Sequence, residues 1–404
     1  MKILLCHNFY QQPGGEDRVF ADETSLLKSH GHDVRTFTVH NDEIESRSKL
    51  AVAGQTVWNR QFARQISELV RRERFDVVHF HNTFPLMSPA VWGAARAAGA
   101  ATVQTLHNFR LICPKATLQR NGRVCTECVG RTIAAPAIIH RCYRDSLAAS
   151  TVVSGMSAFN RLRGTYRQDV DRYIALTHMA AGWFARGGLP ADRISVKPNF
   201  VTGDPAVGDG SGGYALYVGR LSAEKGIDIL AAAWRRPDVN LPLVIAGDGP
   251  LASQVQALAA ERTNVKWLGA VPSTQVESLM QSAACLVMPS IWFEGFPKTL
   301  VEGFSVGTPV IASRLGAFEE LIGHGRTGLL FEAGNATALA EQAIRVQSDP
   351  AMLAPLRTAA RQEFDLHYTA ERNHEQLLEI YLQAVESRAA LGSNKPAPVS
   401  LGEV

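Results

Sequence analysis

Short apolar runs alternate with longer stretches of helical period through most of this chain, and that alternation limits its possible folds more than any other feature. KILLCH, DVRTFTV, FDVVHFH, ATVQTLH, RYIALT and ISVKPN fall within the first 200 residues. YALYVG, LPLVIAG, NVKWLGA, ACLVMPS and TPVIAS follow residue 213. Each run is too short for a helix, while the segments between them, such as 19–30 and 57–74, suit crossover helices. Continuous apolar strands separated by helices predict parallel sheets covered on both faces. At 404 residues the chain can bury two such cores. The stretch 201–213, VTGDPAVGDGSGG, has the Gly, Asp and Pro content of a linker. The expected partition is an α/β domain over 1–200 with an irregular insertion at 110–145, the linker, and a second α/β domain over 214–364. An amphipathic helix over 365–390 and a disordered tail over 391–404 complete it.

Composition narrows the class. With 46% hydrophobic and 20% charged residues the chain reads as an ordinary globular protein. No apolar run approaches the roughly 20 residues needed to span a bilayer, and the N-terminus reads as a buried strand rather than a signal peptide. A cytoplasmic protein with no nucleic-acid partner is expected. Charge is uneven, with 26 Lys and Arg against 16 Asp and Glu in the first 200 residues and 15 against 22 in the rest. A basic first half suits an anionic membrane surface or an anionic acceptor, although a fluctuation over a large surface gives the same count.

The most informative segment is 289–313, PSIWFEGFPKTLVEGFSVGTPVIAS. A strand ends near Pro289, Pro297 suits a helix start, and Gly307 suits the helix end. Exposed N–H groups around Gly295, Phe296, Pro297, Lys298 and Thr299 would form an anion site on the helix dipole. Glu294 lies before that helix and Glu302 in its second turn, so amides for phosphate sit between carboxylates for hydroxyls. The segment resembles family 4 retaining glycosyltransferases, whose signature of Glu, seven residues and Glu is matched by Glu294 and Glu302. The resemblance implies the GT-B fold, two Rossmann-like domains facing a cleft, with Glu302 on the donor ribose and Glu294 on the transferred sugar. It also implies that the last helix crosses back to the first domain.

Two loops extend that resemblance. YVGRLSAEKGID follows a strand and carries Gly219, Arg220 and Lys225, cations that would take the place of a metal as the diphosphate leaves. IAGDGP supplies Gly247 and Asp248. In the first half, Gly14 and Gly15 follow the first strand, where glycine lets backbone approach a phosphate or sugar. Glu16 follows them directly, whereas many relatives place a residue before the acid. VVHFHN and VQTLHN both end in His-Asn: His107 matches the family histidine at the reacting centre, and His81, Asn82 and Asn108 are assigned to the acceptor side.

Cys113, Cys125, Cys128 and Cys142 cluster within thirty residues, two of them as C-x-x-C beside glycine. Such a set suits one tetrahedral structural zinc, with buried free thiols as the plainer alternative. Cys6 and Cys285 lie in apolar runs and read as core. Asp169 and Asp171 spell the DxD of metal-dependent glycosyltransferases, but their place before RYIALT reads as surface charge. On the basic segment 57–74, Trp58, Phe62, Ile66 and Leu69 share a face that packs on the sheet or docks a lipid monolayer. The resemblance thus implies a metal-independent retaining hexosyltransferase, using a UDP- or GDP-sugar and a glycan or lipid-linked acceptor, as in bacterial polysaccharide biosynthesis. Its rivals are a sugar-nucleotide epimerase on the same fold and a non-catalytic nucleotide-sugar-binding module.

Overall fold

In the computed structural model, residues 1–11 and 14–393 are described, and they form two six-stranded parallel sheets. The first contains β1 (Lys2–Phe9), β2 (Asp33–His40), β3 (Val77–Asn82) and β4 (Ala101–Leu106). A small antiparallel hairpin, β5 (Gln119–Arg120) and β6 (Arg123–Val124), precedes its last strands, β7 (Arg172–Ala175) and β8 (Ile194–Val196). Their order is β2-β1-β3-β4-β7-β8. The second sheet holds β9 (Ala215–Val218), β10 (Leu243–Ala246), β11 (Val265–Trp267), β12 (Cys285–Met288), β13 (Val310–Ser313) and β14 (Gly328–Phe331). Its order is β11-β10-β9-β12-β13-β14.

The burial pattern follows from position. Strands β3 and β4 are buried along their whole length, as central parallel strands covered by helices on both faces must be. Strand β2, at the edge, is largely open to solvent and keeps its polar residues outward. The chain leaves β1 first towards β2 and then returns to β3, and it leaves β9 towards β10 and β11 before returning to β12. Each sheet therefore has one switch point, and ligands bind beyond the carboxyl ends of strands at such points.

The last helix completes the first sheet. Helix Ala370–Ser393 buries Leu377, Ile380, Tyr381 and Ala384 against Ile3, Leu5, Val77, Val103 and Ile174, so the C-terminus supplies a core face that the first 200 residues leave open. It is separate from helix Leu353–His367, which ends before Thr369, the residue whose hydroxyl accepts Arg372 N. The expected single pattern from 365 is thus two helices, and helical structure reaches Ser393; the rest of the expected tail, 394–404, lies outside the described residues.

Two further differences concern the first half. The segment 57–74 is not one helix: Trp58 ends helix Lys49–Val57, Asn59 caps helix Arg60–Glu73, and Phe62, Ile66 and Val70 are the residues buried on it. Trp58 packs instead on Phe159 and Arg163. Asp171 is not surface charge. It is 1% exposed, accepts Arg96 Nε at 3.0 Å and Thr102 N at 2.9 Å, and ties β7 to β4 from below.

Candidate active site

The switch points of the two sheets face a cleft of about 420 Å³. The turn after β1 brings Tyr10, Gly14, Gly15 and Glu16 to it, and β4 ends at its edge with His107 and Asn108. From the second sheet β9 delivers Gly219, Arg220 and Lys225, and the segment after β12 delivers Ser290, Trp292 and Glu294 to Thr299.

Glu294 is 6% exposed and holds its place through one oxygen. Its Oε1 accepts Lys225 Nζ at 2.7 Å, Ser290 Oγ at 2.8 Å and Trp292 Nε1 at 2.9 Å. Lys225 also stands 5.5 Å from the Trp292 ring centroid. Helix Lys298–Ser305 begins at Pro297 without a side-chain cap, so its first amides present partial positive charge to the cleft. Gly307, at φ 74, ends the turn that follows this helix, as the sequence suggests. An anion entering here meets amide dipoles, a guanidinium and an ammonium from two neighbouring strand ends.

Gly247 and Asp248 do not line the cleft. A Cβ on Gly247 would come within 1.9 Å of Gly219 O, and Asp248 O accepts Leu221 N at 2.9 Å. The β10 loop therefore buttresses the β9 loop that carries Arg220. Glu302 sits in an adjoining cavity of about 370 Å³ with Arg18 and Lys298. Burial raises its carboxyl above the usual range, with Lys298 and Arg18 working against that rise. Lys298 bonds Asp22 of helix Gly15–Ser29, and Arg18 from the same helix lies 3.9 Å from Glu302, so both halves meet at this edge.

On the opposite wall a charged network is buried under the floor. Lys197 Nζ and Glu23 Oε1 are 2.7 Å apart, both fully buried. Burial by itself would raise the Glu23 carboxyl, but Lys197 and the neighbouring His81 and His79 hold it well below its ordinary range. Glu23 Oε2 lies 3.3 Å from His81 Nε2, and His81 Nδ1 is hydrogen-bonded to His107 Nε2 at 3.1 Å. A carboxylate only accepts, so a neutral His81 would carry its proton on the Nε2 that faces Glu23 and would leave Nδ1 to accept His107 Nε2–H. His107 Nδ1 is then left as a bare acceptor. Burial first, and His81 second, lower the His107 pKa well below normal, so the ring is neutral. His79 bonds Tyr381 of the last helix at 2.8 Å and Thr105 at 2.7 Å.

His81 and Asn82 do not line the main cleft but a small cavity of about 40 Å³ behind it, shared with His107, Asn108 and Arg110. His81 is 2% exposed behind His107, and Asn82 spends its amide on Asn8 O and Phe84 N. Asn108 does reach the cleft, with Nδ2 3.4 Å from Glu16. The two acids after the glycines divide the work. Asp17 accepts Gly14 N at 2.7 Å and lies 2.6 Å from His7, fixing the turn; Glu16 faces the cleft, and burial pushes its carboxyl up to about 7. Sequence reasoning missed Glu23 and Lys197, which lie in a helix interior and past a strand end with no motif around them. Ser290 and Trp292 were within the quoted segment but unassigned.

Two Rossmann-like sheets whose switch points share a cleft lined by cations and carboxylates define a glycosyltransferase of the GT-B type. Comparison with known proteins bears this out. The model "Glycosyltransferase Family 4" matches residues 13–204 and "Glycosyl transferases group 1" matches residues 209–363. An uncharacterized glycosyltransferase of Methanocaldococcus jannaschii is 32% identical over 38% of this chain, and that match spans 44% of the archaeal protein. A phosphatidyl-myo-inositol mannosyltransferase of Mycobacterium leprae is 24% identical over 84% of this chain and 85% of its own. HepE of Anabaena, solved with UDP, superposes with a TM-score of 0.63 at 18% identity, covering 94% of this chain and 99% of the other. The chain belongs to the group 1, family 4 glycosyltransferases.

Proposed function

We propose that this protein is a retaining hexosyltransferase that takes its sugar from a UDP- or GDP-sugar and passes it to a glycan or lipid-linked acceptor. One observation carries the reading: Arg220, Lys225 and Glu294 converge with the open start of helix Lys298–Ser305 in a single cleft, opposite His107. The diphosphate would rest on the helix amides, Arg220 and Lys225, and the ribose on Glu302. Glu294, exchanging Lys225 for the donor, would hold the sugar hydroxyls, and the bare His107 Nδ1 would accept from another. The bond from the sugar C1 to the phosphate oxygen breaks while the acceptor oxygen bonds C1 on the same face. The acceptor proton passes to the departing phosphate oxygen, and a nucleoside diphosphate leaves. Two fixed cations meet the growing charge where other enzymes place a divalent ion. The UDP held by HepE supports a nucleotide donor here.

Exposed Leu50, Ile139, Leu147, Phe159 and Leu162, set among the excess Lys and Arg of the first half, support peripheral contact with an anionic membrane at the cytoplasmic face. Among the described residues no helix is long and apolar enough to cross a membrane. Co-sedimentation with vesicles containing anionic lipid, lost at high salt, tests this contact.

Thermal stabilisation by a panel of nucleotide sugars identifies the donor. Proton NMR of the product then reads its anomeric configuration, and an inverted product overturns the mechanism. Transfer should survive chelation while the fold is monitored; loss restored by magnesium or manganese would overturn the metal-independent step. Donor alone separates the rivals, since an epimerase converts it and a binding module only holds it.

A further inference from the structure

We propose that Cys113, Cys125, Cys128 and Cys142 bind one structural zinc ion that serves as the core of the insertion 110–145. All four side chains line the same small cavity, of about 20 Å³. The hairpin β5–β6 delivers the middle pair. Its turn is Asn121-Gly122, with φ of 51 and 73, and Cys125 N donates back to Leu118 O at 2.8 Å. Val129 N donates to Thr126 O and Arg131 N to Cys128 O, and Gly130 at φ 77 reverses the chain just past the pair. The C-x-x-C segment is therefore a tight knuckle with both thiols facing the cavity. Cys113 arrives from the other side through a turn in which its N donates to Phe109 O and its O accepts Ala116 N, each at 2.8 Å. Cys142 N closes on Ala137 O at 2.9 Å.

This backbone is costly to hold. Of the eight non-glycine residues at positive φ among the described residues, six lie in or at the end of this insertion: Ala116, Leu118, Asn121, Arg141, Arg144 and Asp145. Such conformations cost of order 1 kcal/mol or more each and persist only where surroundings over-determine them. Apolar burial is slight here. Between 113 and 145 the buried apolar residues are Ala116, Leu118, Ala134 and Ala137, while Val124, Ile133 and Ile139 face solvent. Four metal–sulfur bonds would supply the missing constraint. Charge also fits: a zinc with four thiolates carries a net charge of about −2, and Lys115 and Arg120 line the same cavity.

Among the described residues, the one trio of His, Cys, Asp or Glu with ligand atoms mutually within 4.8 Å is Glu23, His79 and His81, where the Lys197 ammonium already stands as the cation. No three of the cysteine sulfurs are therefore mutually within 4.8 Å, whereas ~2.3 Å bonds in a tetrahedron imply spacings of roughly 3.8 Å. Binding would draw them in by side-chain rotation and tightening of the outer turns. Four thiolates leave no open position, so the ion orders the insertion and takes no part in transfer.

The test is elemental analysis of the full chain purified without a metal-binding tag, paired with thiol titration. About one zinc per chain is expected, with a chelator releasing it as four thiols become reactive. Loading the chelated chain with cobalt should give the visible bands of tetrahedral thiolate coordination. Less than about a tenth of a zinc, with all four thiols reactive in the native protein, overturns the proposal, as does a Cys125–Cys128 disulfide in protein isolated from reducing extracts. Nucleotide affinity should change less than twofold on zinc removal, so failure here is separable from failure of the donor reading.

Discussion

On the C-terminal wall of the cleft, the polar residues come from two short segments, each just past a strand end: β9 leads to Arg220 and Lys225, and β12 leads to Ser290, Trp292 and Glu294. On the N-terminal wall, His107 faces the cleft with Tyr10, Glu16 and Asn108, and the network packed behind His107 is drawn from across the chain. Glu23 comes from the first helix, His81 from β3, Lys197 from just past β8, and Tyr381 from the last helix. The first wall is locally encoded, with backbone amides and nearby cations doing the binding. The second depends on a buried ion pair whose members are 174 residues apart. Changes to the first should therefore strike turnover and leave the fold, while changes to the second should strike the fold.

The sharpest break of that contrast is Glu23→Ala. It leaves Lys197 charged and unpaired in a site where both are fully buried, so a loss of about 3–5 kcal/mol in stability is expected, read from denaturant midpoints. Glu23→Leu combined with Lys197→Met should recover most of it. A loss near zero for Glu23→Ala would mean the network does not hold the wall. Next, Arg220→Ala should lower kcat/KM by about 2–4 kcal/mol in transition-state stabilisation with an unchanged melting temperature. Equal losses of stability and turnover there would erase the difference between the walls.

A smaller effect separates the two glutamates. Glu302→Ala should weaken nucleotide affinity about tenfold, roughly 1.4 kcal/mol, while Glu294→Ala should leave affinity nearly intact and slow transfer; isothermal titration beside steady-state kinetics distinguishes them. The smallest concerns Glu16. Its folded pKa is raised to about 7, so the folded chain holds this proton more tightly than the unfolded one does. The carboxyl therefore destabilises the fold increasingly as pH rises from about 4.5 to 7, and fully above. Glu16→Gln should raise the melting temperature by roughly 1–3 °C at pH 8 and by nothing near pH 4.5. The opposite pH trend would mean that Glu16 is ionised and paired.

Legibility in the sequence follows the same division. Eleven strand candidates correspond to β1–β4 and β7–β13; central strands such as β4 and β12 are buried on both faces and so read as apolar runs, while the edge strand β2 alternates. The twelfth main-sheet strand, β14, is GLLF, no shorter than β7 or β13 but set between turn segments and not among the candidates. The hairpin β5–β6 passed unread because its strands are polar and two residues long, although Asn121-Gly122 is a hairpin signal. How deep Asn82 and His81 lie was not legible for a plainer reason. A strand end shows that a residue is near the cleft, but whether its side chain points into it or behind it depends on which neighbour packs above.

By itself, then, the sequence determined the two parallel sheets, the uncapped helix start at Pro297 and the presence of Arg220, Lys225 and Glu294 at one cleft, with Glu302 in the cavity beside it. Each of these rests on hydrophobic period or on residues within one turn of each other, where chain connectivity does the positioning. Only the tertiary structure decided that Asp171 is a buried strut, that Gly247 packs against the backbone of the Arg220 loop, and that Lys197 and Glu23 form a buried pair beneath His81 and His107. Those roles depend on burial and on partners far apart in the chain, since a charge removed from water takes its state from whichever group the fold brings beside it.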